Sequence, residues 1–287
     1  MSHHAFIIGD VHDALATLPE EGVDLTVTSP PYNVGIDYGD KTDSLDWDAY
    51  FAFVGKVAKD LMRVTREGGR VCWNVANVNR TPYMPIASHS ALAFIEAGWL
   101  MRGEVIWNKA ASVGSSTAWG SWCSPSNPTL RDVHEYILVF CKGAYRLPSV
   151  GSDLTPDEFT AWTKSIWEFP TESAKRIGHP APFPVELPTR CIKLFTSPGA
   201  TILDPFGGSG TTVVAAKNLN RDSIYVDRNP EYRRMAVERG GFSQQTLHVH
   251  HDYTVQDLRP QQGATVETET AQPQEPVQGH RRPVSGL

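Results

Sequence analysis

The apolar positions of this chain alternate between two periods. Residues 6–10, 23–28, 70–75, 101–107, 133–140, 200–204 and 223–227 are short runs rich in β-branched and aromatic residues, each closed by a turn former, and they predict seven strands. Between them, apolar residues recur at helical spacing over residues 11–18, 47–64, 86–97, 185–196, 211–219 and 230–239. In the second of these helices the spaced residues are Tyr50, Phe51, Val54, Val57, Ala58, Leu61 and Met62, and Gly68 and Gly69 are expected to cap it. Strand and helix in alternation predict an α/β fold, a mainly parallel, doubly wound sheet with helices on both faces. Residues 35–43 read as a polar loop. From 143 to 178 the periodicity fades, which marks an inserted segment, and from about Tyr253 onward Gln, Pro, Thr and Glu predict a disordered tail. The expected organisation is a first half over 1–142, an insert over 143–178, a second half over 179–252 and a tail over 253–287.

Two corners interrupt this pattern with residues that carry chemistry. The first follows the strand at 23–28: Ser29, Pro30, Pro31, Tyr32 and Asn33. Neither proline can donate a ladder hydrogen bond, and each holds the residue before it out of the helical region. The chain therefore leaves the strand stiff and extended, with unpaired carbonyls beside the Ser29 hydroxyl and the Tyr32 ring. That combination suits the edge and face of a nucleobase. Taken alone it also fits a plain loop, or a ligand for small peptide-binding domains.

The second corner is Asp204, Pro205, Phe206, Gly207, Gly208, Ser209, Gly210, Thr211 and Thr212, set between a strand and a helix. Glycines there allow a tight turn and close approach to a ligand. Asp227 ends the next strand, where a carboxylate can accept hydrogen bonds from both hydroxyls of a ribose. The glycine spacing departs from the dinucleotide fingerprint, and no Gly-Lys-Ser/Thr is present, so a phosphate-cradling loop is not expected. Asp204 would repel a phosphate and suit a cationic nucleoside. A flexible Gly-Ser linker is the plain alternative.

Composition narrows the setting. A net charge of −6 over 287 residues does not advertise a nucleic-acid surface, although Arg131, Lys142, Arg146, Lys164, Lys175, Arg176, Arg190 and Lys193 gather in the second half. The four cysteines are widely spread and form no Cys-x-x-Cys, which favours a reduced, intracellular chain without a structural or catalytic metal. No apolar run reaches the ~18 residues of a membrane span.

Together the two corners resemble those of the S-adenosylmethionine-dependent DNA amino-methyltransferases, with the catalytic corner first and the cofactor corner last as in their β class. The likeness extends over residues 6–240 and includes Gly9 and Asp10, the run from Val133 to Leu138, the run from His179 to Pro184, and Asp227 with Pro230, Glu231 and Tyr232. The resemblance implies that Ser29 and the Pro30 carbonyl hold the amino group of a base flipped out of duplex DNA, with Pro31 stiffening the turn and Tyr32 stacking on the ring. It implies that S-adenosylmethionine is held by Asp10, His179, Phe183, Asp204, Pro205, Phe206, Gly207, Gly208, Ser209, Gly210, Thr211 and Asp227. The insert, with residues of the 109–131 loop, becomes the target-recognition segment. Family members with Ser-Pro-Pro-Tyr tend to modify N4 of cytosine and those with Asp-Pro-Pro-Tyr N6 of adenine, so cytosine is favoured. A homodimer and a cognate restriction endonuclease are further partners of such enzymes. Other readings are methylation of a protein amide, a non-catalytic DNA-binding subunit and, more distantly, a nicotinamide oxidoreductase. No catalytic role falls to Glu135, read as a solvated strand residue.

Overall fold

The computed structural model describes residues 2–36, 43–78, 82–109, 119–147, 151–177, 182–242 and 252–259. In chain order the elements are β1 (His3–Ile8), α1 (Val11–Thr17), β2 (Val23–Thr28), α2 (Trp47–Val64), β3 (Thr65–Val75), α3 (Ile86–Glu96), β4 (Leu100–Asn108), β5 (His134–Cys141), α4 (Pro156–Trp162), β6 (Ile166–Glu168), α5 (Ala174–Ile177), α6 (Glu186–Phe195), β7 (Thr201–Asp204), α7 (Thr211–Asn218), β8 (Asp222–Asp227), α8 (Pro230–Arg239) and β9 (Asp252–Asp257). All nine strands join one sheet in the order β6-β4-β5-β3-β2-β7-β8-β1-β9. Every pairing is parallel except those of β5, which runs antiparallel to both β3 and β4.

Alternation along the strands sorts side chains between two layers. On β3, Val71, Trp73 and Val75 face α1, α2 and α3 in one core, which includes Leu15, Val54, Leu61 and Phe94. Cys72 faces the other way, into a core built with Leu25, Val27, Leu187 and Ile192 under α6 and α7. Helix ends follow local chemistry: Asp10 accepts from the His12 amide at 2.9 Å, Asp46 from Ala49 at 2.9 Å, and Thr155 forms a capping box with Glu158. Among the described residues no helix is long and apolar enough to cross a membrane.

Nine strands rather than seven correct the expected sheet, and the two additions have physical causes. The strand β6 has only three residues, too few to show a period, yet it pairs with β4 and buries Trp167. The strand β9 lies inside the segment expected to be a disordered tail. It is an edge strand with one wet face, so its polar residues mask the half-buried Tyr253 and Val255 that pack beside Phe6 and Phe242. Residues 260–287 of the tail lie outside the described residues, as do 37–42 of the expected 35–43 loop. The glycine pair is also placed differently. The helix α2 ends at Thr65, whose amide reaches the Leu61 carbonyl, and β3 begins there. Gly68 and Gly69 instead belong to a bulge where the pairing with β2 jumps from Val23–Thr65 to Leu25–Arg70, and Gly68 takes a φ of 73° within it.

The insert is not set apart from the sheet. Its α4 docks on α6 through Lys193 and Glu158 at 2.5 Å, and Asp153 grips the fully buried Arg221 at 2.5 Å. Ending the chain after residue 251 removes Tyr253, Val255 and Leu258 from their packing, so thermal or urea unfolding should show a loss of roughly 3 kcal/mol relative to the full chain. An unchanged midpoint would mean that β9 contributes nothing to the fold.

Candidate active site

The chain leaves the neighbouring parallel strands β2 and β7 toward opposite sides of the sheet, from β2 to β3 and from β7 to β8. A parallel α/β sheet opens a crevice beyond the carboxyl ends of its strands at such a switch point. The residues after β2 and those after β7 are the two corners, and both line one cavity of about 360 Å³. That volume lies in the range of small-molecule sites. Thr28, the last residue of β2, donates its hydroxyl to Oδ1 of Asp204, the last residue of β7, at 2.7 Å. The seam between the corners is thereby pinned.

Of the residues singled out from the sequence, Asp10, Ser29, Pro30, Pro31, Tyr32, Phe183, Pro205, Phe206, Gly207, Gly208, Ser209, Thr211 and Asp227 line this cavity. Gly210 does not line it. Its φ of 77° turns the chain into α7, and an added Cβ would stand 2.4 Å from that of Ala236. His179 lies outside the described residues. Asp204 is not among the lining residues: it is buried, held by the Thr28 hydroxyl and by the Phe206 amide at 3.2 Å.

The glycine corner is shaped by contact. An added Cβ on Gly207 would stand 2.2 Å from the Tyr225 ring, so only glycine lets the turn close over β8. The Asp227 carboxylate accepts from the amides of Gly208 and Asn229, each at 2.8 Å, which fixes it at the cavity wall. Phe206 stands beside Phe53 and Trp73, with ring centres 6.0 and 6.1 Å away.

The proline corner is wired into two further strands. Ser29 Oγ and the Tyr32 hydroxyl are 2.7 Å apart, and Tyr32 reaches Glu135 Oε2 at 3.1 Å. Asn74 Nδ2 donates to Glu135 at 2.6 Å and to Tyr32 at 3.1 Å, and Lys109 donates to Glu135 Oε1 at 2.9 Å. Tyr50 fixes the Pro31 carbonyl at 2.8 Å. Burial, reinforced by the Glu135 charge, holds the Tyr32 phenol well above its ordinary pKa, so it remains a proton-bearing hydroxyl. Glu135, expected to be solvated, and Asn74 are thus site residues that sequence reasoning passed over. Both stand at the carboxyl edge because β5 runs against β3, bringing the start of one strand beside the end of the other. The one available signal was Asn74, a polar residue within the apolar run from Val71 to Val75.

The family model for DNA methylase matches residues 23–238. The chain belongs to the DNA methylase family. Its curated relatives include the type II methyltransferase M.MjaVI of Methanocaldococcus jannaschii, 35% identical over 56% of this chain and 83% of that protein. Another is the type II methyltransferase M.ScaI of Streptomyces caespitosus, 31% identical over 80% of this chain and 79% of that one. Among solved structures, TTHA0409 of Thermus thermophilus, assigned as a DNA modification methylase and complexed with S-adenosyl-L-methionine, superposes with a TM-score of 0.69 at 28% identity, over 87% of this chain and 97% of that one. The cytosine-N4-specific PvuII DNA methyltransferase shares the fold, with a TM-score of 0.68 at 20% identity over 87% and 89% of the two chains. Both corners of this methylase fall within the matched residues.

Burial raises the Asp204 carboxyl from its ordinary 3.8 to about 6, against the pull of the Thr28 and Thr212 hydroxyls and the Phe206 amide. The folded chain therefore holds that proton more tightly than the unfolded one. The group's contribution to stability is fully present below the unfolded value and is lost as pH rises through about 6. In urea titrations, Asp204→Asn should gain on the native chain by roughly 3 kcal/mol as pH goes from about 4 to about 8. A difference that stays constant with pH would contradict this placement of the carboxyl.

Proposed function

We propose that the chain transfers a methyl group from S-adenosylmethionine to the exocyclic amino nitrogen of a base flipped out of duplex DNA, and that the base is cytosine, modified at N4. The observation that carries the reading is the shared cavity, with an amine-holding corner on one wall and a nucleoside-holding corner on the other.

The second wall fits the cofactor. Asp227, fixed by two backbone amides, offers carboxylate oxygens where a ribose can be held. Phe206, Phe183 and Tyr232 supply the apolar and aromatic lining that an adenosine needs. Asp10 lines the same space while capping α1. When bound, the cofactor supplies an already activated sulfonium methyl, so no protein nucleophile is required.

The first wall serves the amine. An aryl amine is a poor nucleophile because its lone pair is delocalised into the ring. Ser29 Oγ and the Pro30 carbonyl accept its hydrogens, which favours a tetrahedral nitrogen with a localised lone pair. The Tyr32 ring offers a stacking face whose hydroxyl is already anchored, partly offsetting the few kcal/mol that flipping costs. Catalysis rests on alignment and on preorganised acceptors.

Serine rather than aspartate at position 29 supports cytosine, since family members with this corner tend to act at N4. The segment 143–178 and the aromatic loop carrying Trp119, Trp122 and Arg131, with Arg131 packed 3.6 Å over the Trp119 ring, are the candidate target-reading surface. A cognate restriction endonuclease and a homodimer are the expected partners of such an enzyme.

Tritium from methyl-labelled S-adenosylmethionine should enter duplex DNA, and digestion should release N4-methylcytosine. Ser29→Ala should lower the transfer rate by about a hundredfold while leaving cofactor binding in place. Release of N6-methyladenine would overturn the choice of base. Absence of label in genomic DNA of varied sequence, despite calorimetric binding of the cofactor, would overturn DNA as the substrate.

A further inference from the structure

The hydroxyl of Tyr32 has one proton to give and two lone pairs to fill. Asn74 Nδ2, 3.1 Å away, can only donate to it. Glu135 Oε2, also 3.1 Å away, is a carboxylate oxygen and accepts, and Oε1 of the same carboxylate pairs with the Lys109 ammonium at 2.9 Å. The other acceptor in reach is the neutral Asn74 carbonyl at 3.3 Å, which is longer and weaker. The proton of Tyr32 is therefore committed away from Ser29. In the 2.7 Å contact between Ser29 and Tyr32 either hydroxyl could donate; with the Tyr32 proton on Glu135, the donor is Ser29. Asn74 Nδ2 reaches Ser29 Oγ only at 3.4 Å.

We propose that Glu135 is a positioning residue that sets the direction of this chain: its carboxylate takes the Tyr32 proton, Ser29 spends its own proton on Tyr32, and the Ser29 oxygen turns lone pairs toward the cavity. The inference rests on the methyl-transfer reading of the same site and adds a role to it. A lone hydroxyl can rotate to donate or to accept. Ser29, so oriented, accepts from an amino group and has no proton for a keto oxygen. The polarity of the site thus selects amino-bearing bases over keto-bearing ones, because a keto edge would leave two acceptors facing each other. Only 14% of the Glu135 side chain and 18% of the Lys109 side chain are exposed, so water competes weakly for these bonds.

Glu135→Gln keeps the shape and breaks the polarity. A glutamine amide nitrogen directed at Tyr32 and Asn74 meets the Asn74 donor, and one directed at Lys109 meets its ammonium. The single-turnover rate of methyl transfer to duplex DNA should fall about 10- to 100-fold, the range seen when a group that orients a reacting group is lost. Affinity for S-adenosylmethionine by calorimetry and KM for DNA should stay within about twofold. The decisive reading is a double-mutant cycle. In a Ser29→Ala background, Glu135→Gln should change the rate by less than about twofold, because the residue through which it acts is gone. Tyr32→Phe, which cuts the chain at its middle link, should lower the rate by a similar factor and make Glu135→Gln silent in its turn.

A Glu135→Gln rate equal to that of the native chain, losses that multiply with Ser29→Ala, or a loss confined to DNA or cofactor affinity would each overturn the inference while leaving the methyltransferase reading intact. A native chain that binds the cofactor but labels no DNA would overturn that reading, and this inference with it.

Discussion

The hydroxyl of Thr28 and the carboxyl group of Asp204 meet across the boundary between β2 and β7, at the point from which both corners start. One residue beyond Thr28 begins the proline corner, and one residue beyond Asp204 begins the glycine corner. The strands are joined by short parallel pairing, Leu25 with Ile202 and Thr26 with Leu203, so the seam is brief and its ends could splay. A buried hydroxyl-to-carboxyl bond at its tip resists this. Asp204 thus serves the cleft by tying the strands together from below.

From this seam the two walls acquire rigidity by different means. The glycine wall is rigid by exclusion: Gly207 and Gly210 sit so close to Tyr225 and Ala236 that no larger residue fits, and Tyr225 secures the Gly208 carbonyl at 2.7 Å. The proline wall is rigid by hydrogen bonding. Pro30 and Pro31 fix the backbone, while Asn74, Glu135 and Lys109, from β3, β5 and the end of β4, fix the side chains. A site that must align an amine with a donor gains from groups that do not reorganise when charge shifts.

Much of this was legible in the sequence. The strand patterns at 23–28 and 200–204 were strong enough to place both corners at strand ends, and the departure from the dinucleotide glycine spacing argued against the commoner alternative. What could not be read were features that depend on how distant strands pair. Glu135 looks like any polar residue at the start of a strand until β5 is known to run antiparallel to β3. The strand β6 is too short to carry a period. The strand β9 follows an unpatterned stretch and shows only alternation against β1. Asp10, expected at the cofactor site, both caps α1 and lines the cavity.

If the two corners serve one transfer across one cleft, a bound cofactor must reach from one to the other. A crystal structure of the chain with S-adenosylmethionine bound tests it most directly. The ribose should lie against Asp227 and the sulfonium methyl should point at the Ser29–Tyr32 corner, with room for a reacting nitrogen at about 3–3.5 Å. A cofactor seated elsewhere, or one whose methyl points away from Ser29, would contradict it.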